Sequence, residues 1–178
     1  MAASIRHELL SESACAWALR YGFFAVAMNT QSAGGSGDSD AVAVGDIRGV
    51  RRCAVFESKV SRSDFKADIN KRHRGLENNS GWHATSEHWY VTPAGLVSKD
   101  EVPEGWGLLE ADENGRVSVT VRASVQELNA EDYAKQLQNC AKACSQKYLV
   151  RMNCSWTQRC GGINLDAEIW REACHAMR

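Results

Sequence analysis

The chain has 178 residues, 44% hydrophobic and 24% charged, values ordinary for a soluble globular protein and enough for one domain with a full core and a small appendage. No apolar run approaches the roughly 18 residues a membrane span needs, and Arg6, His7, Glu8, Ser11 and Glu12 interrupt any signal-peptide core near the N-terminus. Seven cysteines, an odd number without a secretion signal, point to reduced thiols in a cytosol rather than a disulfide framework.

The spacing predicts an amphipathic helix over residues 4–21, with Ile5, Leu9, Ala16 and Leu19 recurring near a helical period and Gly22 as the stop. Residues 23–28 read as a buried strand. Residues 29–39 form a Gly/Ser-rich loop, too short for a domain linker, that ends at Asp40. Strand 41–45, turn 46–51 and strand 53–59 make a hairpin whose turn chemistry comes from Gly45-Asp46 and Gly49. Ser63 or Asp64 then caps a helix to about His73, with Phe65 and Ile69 as its inward pair. Residues 75–87 are polar and Gly/Asn-rich and read as a loop. Strand 88–92 ends at Pro93, and Gly107–Ala111 pairs with Val117–Val121 across Glu113-Asn114-Gly115. From about Val125 the composition turns helical, with Leu128, Tyr133, Leu137, Ala141 and Cys144 at three- and four-residue steps. The order is that of an α/β protein, divided into a core over residues 1–123 and a helical C-terminal extension over 124–178.

Two positions in this order carry chemistry. Asp40 opens the apolar run 41–44, and Glu57-Ser58-Lys59 closes the run 53–56. On a strand, residues i and i+2 share a face, so Glu57 and Lys59 project together while Ser58 points away. With the strand of Asp40 paired alongside, three charged groups of mixed sign converge. Hard divalent cations take carboxylate oxygens, and a nearby lysine can orient or help deprotonate an attacking water. The charge distribution agrees. Residues 48–74 hold nine Lys/Arg (48, 51, 52, 59, 62, 66, 71, 72, 74) against Glu57, Asp64 and Asp68, a local +6 in a chain of net charge −1. That field surrounds the place where phosphates would dock, although the same residues would also make an ordinary solvated loop and helix face.

The pattern Asp40…Glu57-x-Lys59 resembles the PD-(D/E)xK nuclease superfamily, with Ser39-Asp40 in place of Pro-Asp. The string Ser61-Arg62-Ser63-Asp64-Phe65-Lys66-Ala67-Asp68-Ile69-Asn70-Lys71 is similar to the segment after the catalytic strand of MmcB-like DNA-repair nucleases. His88-Trp89-Tyr90-Val91-Thr92-Pro93 and Val102-Pro103-Glu104-Gly105-Trp106-Gly107-Leu108-Leu109 resemble that family's later strands. The resemblance covers about residues 4–121 and leaves the last third unmatched. It implies a restriction-endonuclease-like core, a mixed central sheet flanked by helices, and metal-dependent hydrolysis of DNA phosphodiester bonds in repair, recombination or phage DNA processing. Asp40 and Glu57 would hold Mg2+, for which Mn2+ would substitute, with the Ser58 carbonyl as a further ligand and Lys59 beside them. The first helix of such nucleases often supplies another glutamate. Glu8 and Glu12 share the face of Ala16 and Leu19, and Glu12, nearer the helix centre, is the choice. Arg62, Lys66, Lys71, Arg72 and His73 are the implied nucleic-acid contacts. A cytoplasmic protein of bacterial or phage origin and, as in many relatives, a homodimer complete the expectation.

Each of these residues has a duller explanation. Asp40 could be a turn residue ending the Gly/Ser loop, Lys59 a simple salt-bridge partner for Glu57, and Glu8 and Glu12 a solvated helix face. Asp64 and Asp68 read as capping or as pairing with Lys71 rather than as metal ligands. Cys140, Cys144, Cys154 and Cys160 contain a single short spacing of the kind structural zinc sites favour, and Cys140 and Cys144 are better read as small core residues. His73, His83 and His88 lack a companion motif. Trp82, Trp89, Trp106, Trp156 and Trp170 are compatible with dimerisation, base stacking or core packing. The rival from another class is a nuclease-fold module that binds nucleic acid or a protein partner without cutting.

Overall fold

A computed structural model describes residues 2–31, 38–73 and 85–151. The apolar runs 41–44 and 53–56 have no polar alternation, so they must be strands covered on both faces, and every residue in them is buried. They lie in β2 (Asp38–Ile47) and β3 (Val50–Ser58), joined by a two-residue turn in which Arg48 and Gly49 both have positive φ, 57° and 81°. That is the turn whose twist suits adjacent antiparallel strands. It is tighter than the turn predicted over 46–51, because the strands continue through Ile47 and Val50.

Four more strands complete the sheet: β1 (Ala25–Gln31), β4 (Glu87–Pro93), β5 (Gly107–Ala111) and β6 (Val117–Val121). The order is β1-β2-β3-β4-β5-β6, with β3/β4 and β4/β5 parallel and the other pairs antiparallel. Among the described residues three α-helices accompany it, α1 (Ala2–Tyr21), α2 (Arg62–His73) and α3 (Ala130–Arg151). The architecture is therefore α/β with a six-stranded mixed sheet, as the element order predicts. Both ends of the loop expected over 29–39 are strand, since β1 runs to Gln31 and β2 begins at Asp38, and residues 32–37 lie outside the described residues. Most of the loop expected over 75–87 falls outside the described residues. Among the described residues no helix is long and apolar enough to cross a membrane.

One face of the sheet is covered by α1. Gly22, at φ 115°, ends that helix, and its N–H and that of Phe23 both donate to the Ala18 carbonyl. The inward face is Leu10, Ala14, Trp17 and Ala18, packed on Ala41, Ala43, Ala54, Phe56, Trp89 and Val91. This corrects the predicted face: Leu9 and Leu19 are exposed at 55% and 50%, and Ala16 is exposed. Small residues at 14 and 18 let the helix approach closely, and Trp17 fills the remaining space against Phe56 and Trp89, with ring centroids at 6.2 and 5.2 Å.

The opposite face carries two clusters. Over β1–β3, Ala27, Val42, Val44, Cys53 and Val55 meet Leu128, Cys140 and Ala143. Over β4 and β5, Tyr90, Trp106 and Leu108 meet Phe65 and Val97, with Ile69 packed against them. Phe65 and Ile69 are thus the inward pair predicted for α2, while its N-terminal cap is Ser61, whose Oγ accepts the Asp64 N–H at 3.2 Å. On α3 the inward positions are Gln136, Cys140 and Ala143, whereas Ala141 and Cys144 are exposed. The compact unit holding the sheet extends over Met1–Cys144, with Ser145–Arg178 a second unit. The boundary lies beyond the predicted residue 123 because Leu128, Cys140 and Ala143 complete the cluster over β1–β3.

Trp89 and Trp106 both belong to the core, at 4% and 3% exposure, which settles two of the five tryptophans left open by the sequence. Trp89 packs so closely that a Cβ on Gly107 would lie 2.2 Å from its ring. Gly107→Ala is therefore expected to destabilise the protein by about 1–3 kcal/mol or more, the usual cost of overpacking. A denaturant midpoint equal to wild type would refute that expectation.

Candidate active site at the strand ends

The last rung between β2 and β3 pairs Ala41 with Phe56, and the same register sets Asp40 opposite Glu57. By strand alternation both backbone positions fall on the face that carries Val42 and Val55. The ladder stops there. The Ser58 N–H, which the next rung would use, donates to Asp40 Oδ2 at 2.7 Å. Because N–H and C=O of one strand residue point to the same side, the Ser58 carbonyl is also directed toward the end of β2. Beyond this point β2 stays paired with β1, where Ser39 is opposite Thr30. Asn29, at the level of Asp40 in that pair, has φ 51°, an irregularity in an otherwise extended strand.

Lys59 follows the motif and is fixed to the other side, its N–H donating to the Val91 carbonyl at 2.9 Å. Only 7% of the residue is exposed, and a buried ammonium needs anionic partners. Its Nζ lies 3.5 Å from Glu57 Oε2 and 3.5 Å from Asp68 Oδ1. Asp68 comes from α2, one residue before the inward Ile69, and accepts the Tyr90 hydroxyl at 2.8 Å. Tyr90 is opposite Glu57 in the β3/β4 pair and is held between Phe65 and Trp106, with centroid distances of 4.9 and 4.4 Å.

From the other face, α1 contributes two groups that sequence reasoning missed. His7 Nε2 lies 3.1 Å from Asp40 Oδ2, and the hydroxyls of Ser11 and Ser58 share a buried 2.9 Å hydrogen bond. His7 and Ser11 are one helical turn apart, which was the available signal, but the inward face had been placed elsewhere. Glu12 is displaced with that face. It is exposed and lines a groove with Arg6, Leu9 and Arg20. Glu8 is exposed as well.

The expected phosphate contacts divide. Lys66 is exposed on α2. Arg62 is engaged elsewhere: it forms a two-pronged pair with Glu101, at 3.0 and 2.5 Å, and donates to the Leu96 carbonyl at 3.0 Å. The Ser98 N–H bond and this arginine hold the Glu101 carboxyl below the usual carboxylate range. Lys71, Arg72 and His73 form the last residues of α2, and their side chains fall outside the described residues. His88 bonds Thr85 Oγ1 at 2.8 Å and packs on Trp106, while His83 lies outside the described residues.

Asp40, Glu57 and the Ser58 carbonyl supply hard oxygen donors, and the set suits Mg2+, which takes one or two carboxylates and completes its shell with water and phosphate oxygens. Among the described residues there is no group of three or more His, Cys, Asp or Glu disposed around one point, so a cation here would rest on two carboxylates. For zinc, Cys154 and Cys160 lie outside the described residues. Burial pushes the Cys140 thiol up to about 12 and the Cys53 thiol well above its usual value. Both stay protonated as pH rises past about 8.5, where an unfolded cysteine ionises, so they should resist iodoacetamide at pH 8. Exposed Cys144 should be labelled under the same conditions, and peptide mapping that finds modified Cys140 in the native protein would count against this burial.

No protein-family model matches the chain, and no curated protein matches it. Among solved structures it is similar to a protein of unknown function from Silicibacter pomeroyi, with a TM-score of 0.58, 18% identity, and coverage of 83% of this chain and 88% of that one. The similarity is one of fold.

Proposed function

We propose that this chain is a metal-dependent nuclease with a restriction-endonuclease-like core that hydrolyses DNA phosphodiester bonds in repair, recombination or phage DNA processing. The observation that carries the reading is the cross-strand register of Asp40 and Glu57, with Lys59 on the same face and buried beside them. Asp40, Glu57 and the Ser58 carbonyl would hold Mg2+, or Mn2+ in its place. The chemistry a bound cation supplies is polarisation of the phosphoryl oxygen and a lowered pKa for a water. Lys59 offsets charge that develops on the phosphate or orients the attacking water. His7 fixes the Asp40 carboxylate from α1, and the Ser11–Ser58 bond holds the end of β3. Lys66 offers an exposed cation for the backbone of a nucleic acid, and Lys71, Arg72 and His73 continue the same helix.

One observation favours a second reading. Asp40 Oδ2 already receives the Ser58 N–H and His7, as it would in a nuclease-fold module that binds nucleic acid or a partner without cutting. The test is cleavage of labelled single-stranded, duplex, nicked and branched DNA with Mg2+ or Mn2+ against EDTA, beside Mg2+ titration of wild type and Asp40→Asn. Metal-dependent cutting, with cation uptake lost in the variant, supports the nuclease. Salt-sensitive DNA binding without cutting or cation uptake supports the module.

A further inference from the structure

We propose that the Thr92 hydroxyl and the Lys59 ammonium together hold the water that attacks the phosphodiester, which makes Thr92 a catalytic residue; the proposal rests on the nuclease reading above. Thr92 is the penultimate residue of β4. It is 0% exposed, and its Oγ1 has no hydrogen-bond partner among the described residues. A buried hydroxyl without a partner costs stability, and a valine of nearly the same shape would carry no such cost. Native chains satisfy most such groups, and an ordered water is a common partner for the rest.

Two neighbours decide where that partner lies. By strand alternation Thr92 falls on the face of Tyr90, the side packed on Phe65 of α2. On β5 it is opposite Glu110, whose two carboxylate oxygens accept the Gly95 N–H and the Thr120 hydroxyl. On β3 the register that pairs Glu57 with Tyr90 and Ser58 with Val91 brings Lys59 beside Thr92. The Lys59 N–H bond to the Val91 carbonyl continues that ladder. Lys59 is nearly buried and keeps Glu57 Oε2 and Asp68 Oδ1 as partners, each at 3.5 Å. An ammonium has three N–H donors, so one remains. A water that accepts from this donor and donates to the Thr92 hydroxyl satisfies both groups and disturbs neither ion pair. Its second lone pair stays open to phosphorus. In the reaction its oxygen bonds to phosphorus as the bond to the leaving oxygen breaks. One of its protons ends on the leaving oxygen and the other on the new phosphate monoester.

The test compares wild type, Thr92→Val and Thr92→Ser by thermal melting and by steady-state cleavage of labelled DNA with Mg2+. Thr92→Val is expected to melt no lower than wild type, because no protein group loses a bond. It should lose up to roughly 10²-fold in kcat, the scale on which a misplaced reactant slows a reaction, with KM for DNA unchanged. Thr92→Ser keeps the hydroxyl and should recover most of the wild-type kcat. A folded Thr92→Val protein with the wild-type kcat overturns this proposal and leaves the nuclease reading standing. The same holds for an equal loss of kcat in both variants, or for a Thr92→Val protein that melts well below wild type, since either marks a packing role. A wild-type protein that cuts none of the DNA substrates overturns the nuclease reading and this inference with it.

Discussion

Lys59→Ala is expected to lower Mg2+-dependent cleavage by roughly 10²–10³-fold, the scale on which one preorganised charge stabilises a transition state. Glu57→Ala should lose at least as much, down to the rate in EDTA, because it removes one of the two carboxylates on which the cation would rest. Their geometry explains why the pair is informative. Lys59 is nearly buried, and Glu57 and Asp68 side chains, at 14% and 15% exposure, form its ionic surroundings. Removing Glu57 leaves Lys59 still paired with Asp68, so the Glu57→Ala protein should melt close to wild type. A Glu57→Ala protein that is folded and cuts DNA at the wild-type rate would sink the assignment of this site. A protein that unfolds would mean that the pair is structural.

The second large effect is on stability, at the other end of β3. Arg52 and Glu87 form an ion pair at 2.6 Å with side chains 9% and 0% exposed, and Trp89 Nε1 donates to the second carboxylate oxygen at 2.9 Å. The guanidinium also lies over the rings of Tyr21 and Phe23, at 5.5 and 5.7 Å. Removing one member strands a buried charge, which typically costs about 3–5 kcal/mol. For Arg52→Met this corresponds to a melting temperature lower by roughly 6–20 °C for a chain of this size. The loss should depend on pH. Burial pushes the Glu87 carboxyl above its usual value, and Arg52 is the main influence pulling it back. Without Arg52 the folded-state value rises further above the unfolded one. The destabilisation is then fully present at neutral pH and shrinks as pH falls through the folded value, where Glu87 takes up its proton. Melting curves of Arg52→Met at pH 7 and pH 5 check the sign: a gap to wild type that widens on acidification contradicts it.

Much of the fold was legible where backbone chemistry is local. Gly107–Ala111 and Val117–Val121 appear as predicted, because the turn between them is fixed by Asp112, whose Oδ1 accepts the Asn114 and Arg116 N–H groups, and by Gly115 at φ 73°. The run 53–56 announced a central strand by lacking alternation. The face of α1 was not legible for a specific reason. Leu9 and Leu10 are adjacent, the inward side mixes Ser11, Ala14 and Ala18 with Leu10 and Trp17, and a shift of one residue turns a helix by about 100°. That single error also misplaced the helix contribution to the site, selecting Glu12 where the fold presents His7 and Ser11. Asp40, Glu57 and Lys59 could be grouped from strand parity alone. Asp68 and Tyr90 could not, because their meeting depends on how α2 lies over β4, although Asp68 beside inward Ile69 was the trace of it.

Because β3, β4 and β5 run parallel, their C-terminal ends share one edge of the sheet, and Asp40 enters from β2 at that same edge. Arg52 and Glu87 lie toward the opposite end. Five residues of strand separate Arg52 from Glu57, about 16 Å at roughly 3.3 Å per residue, beyond the range within which substitutions usually couple. The buried ion pair and the proposed site therefore lie at different ends of β3. The two ends should be free to vary independently, so that the combined variant Arg52→Met/Glu57→Ala loses the sum of the separate effects and no more.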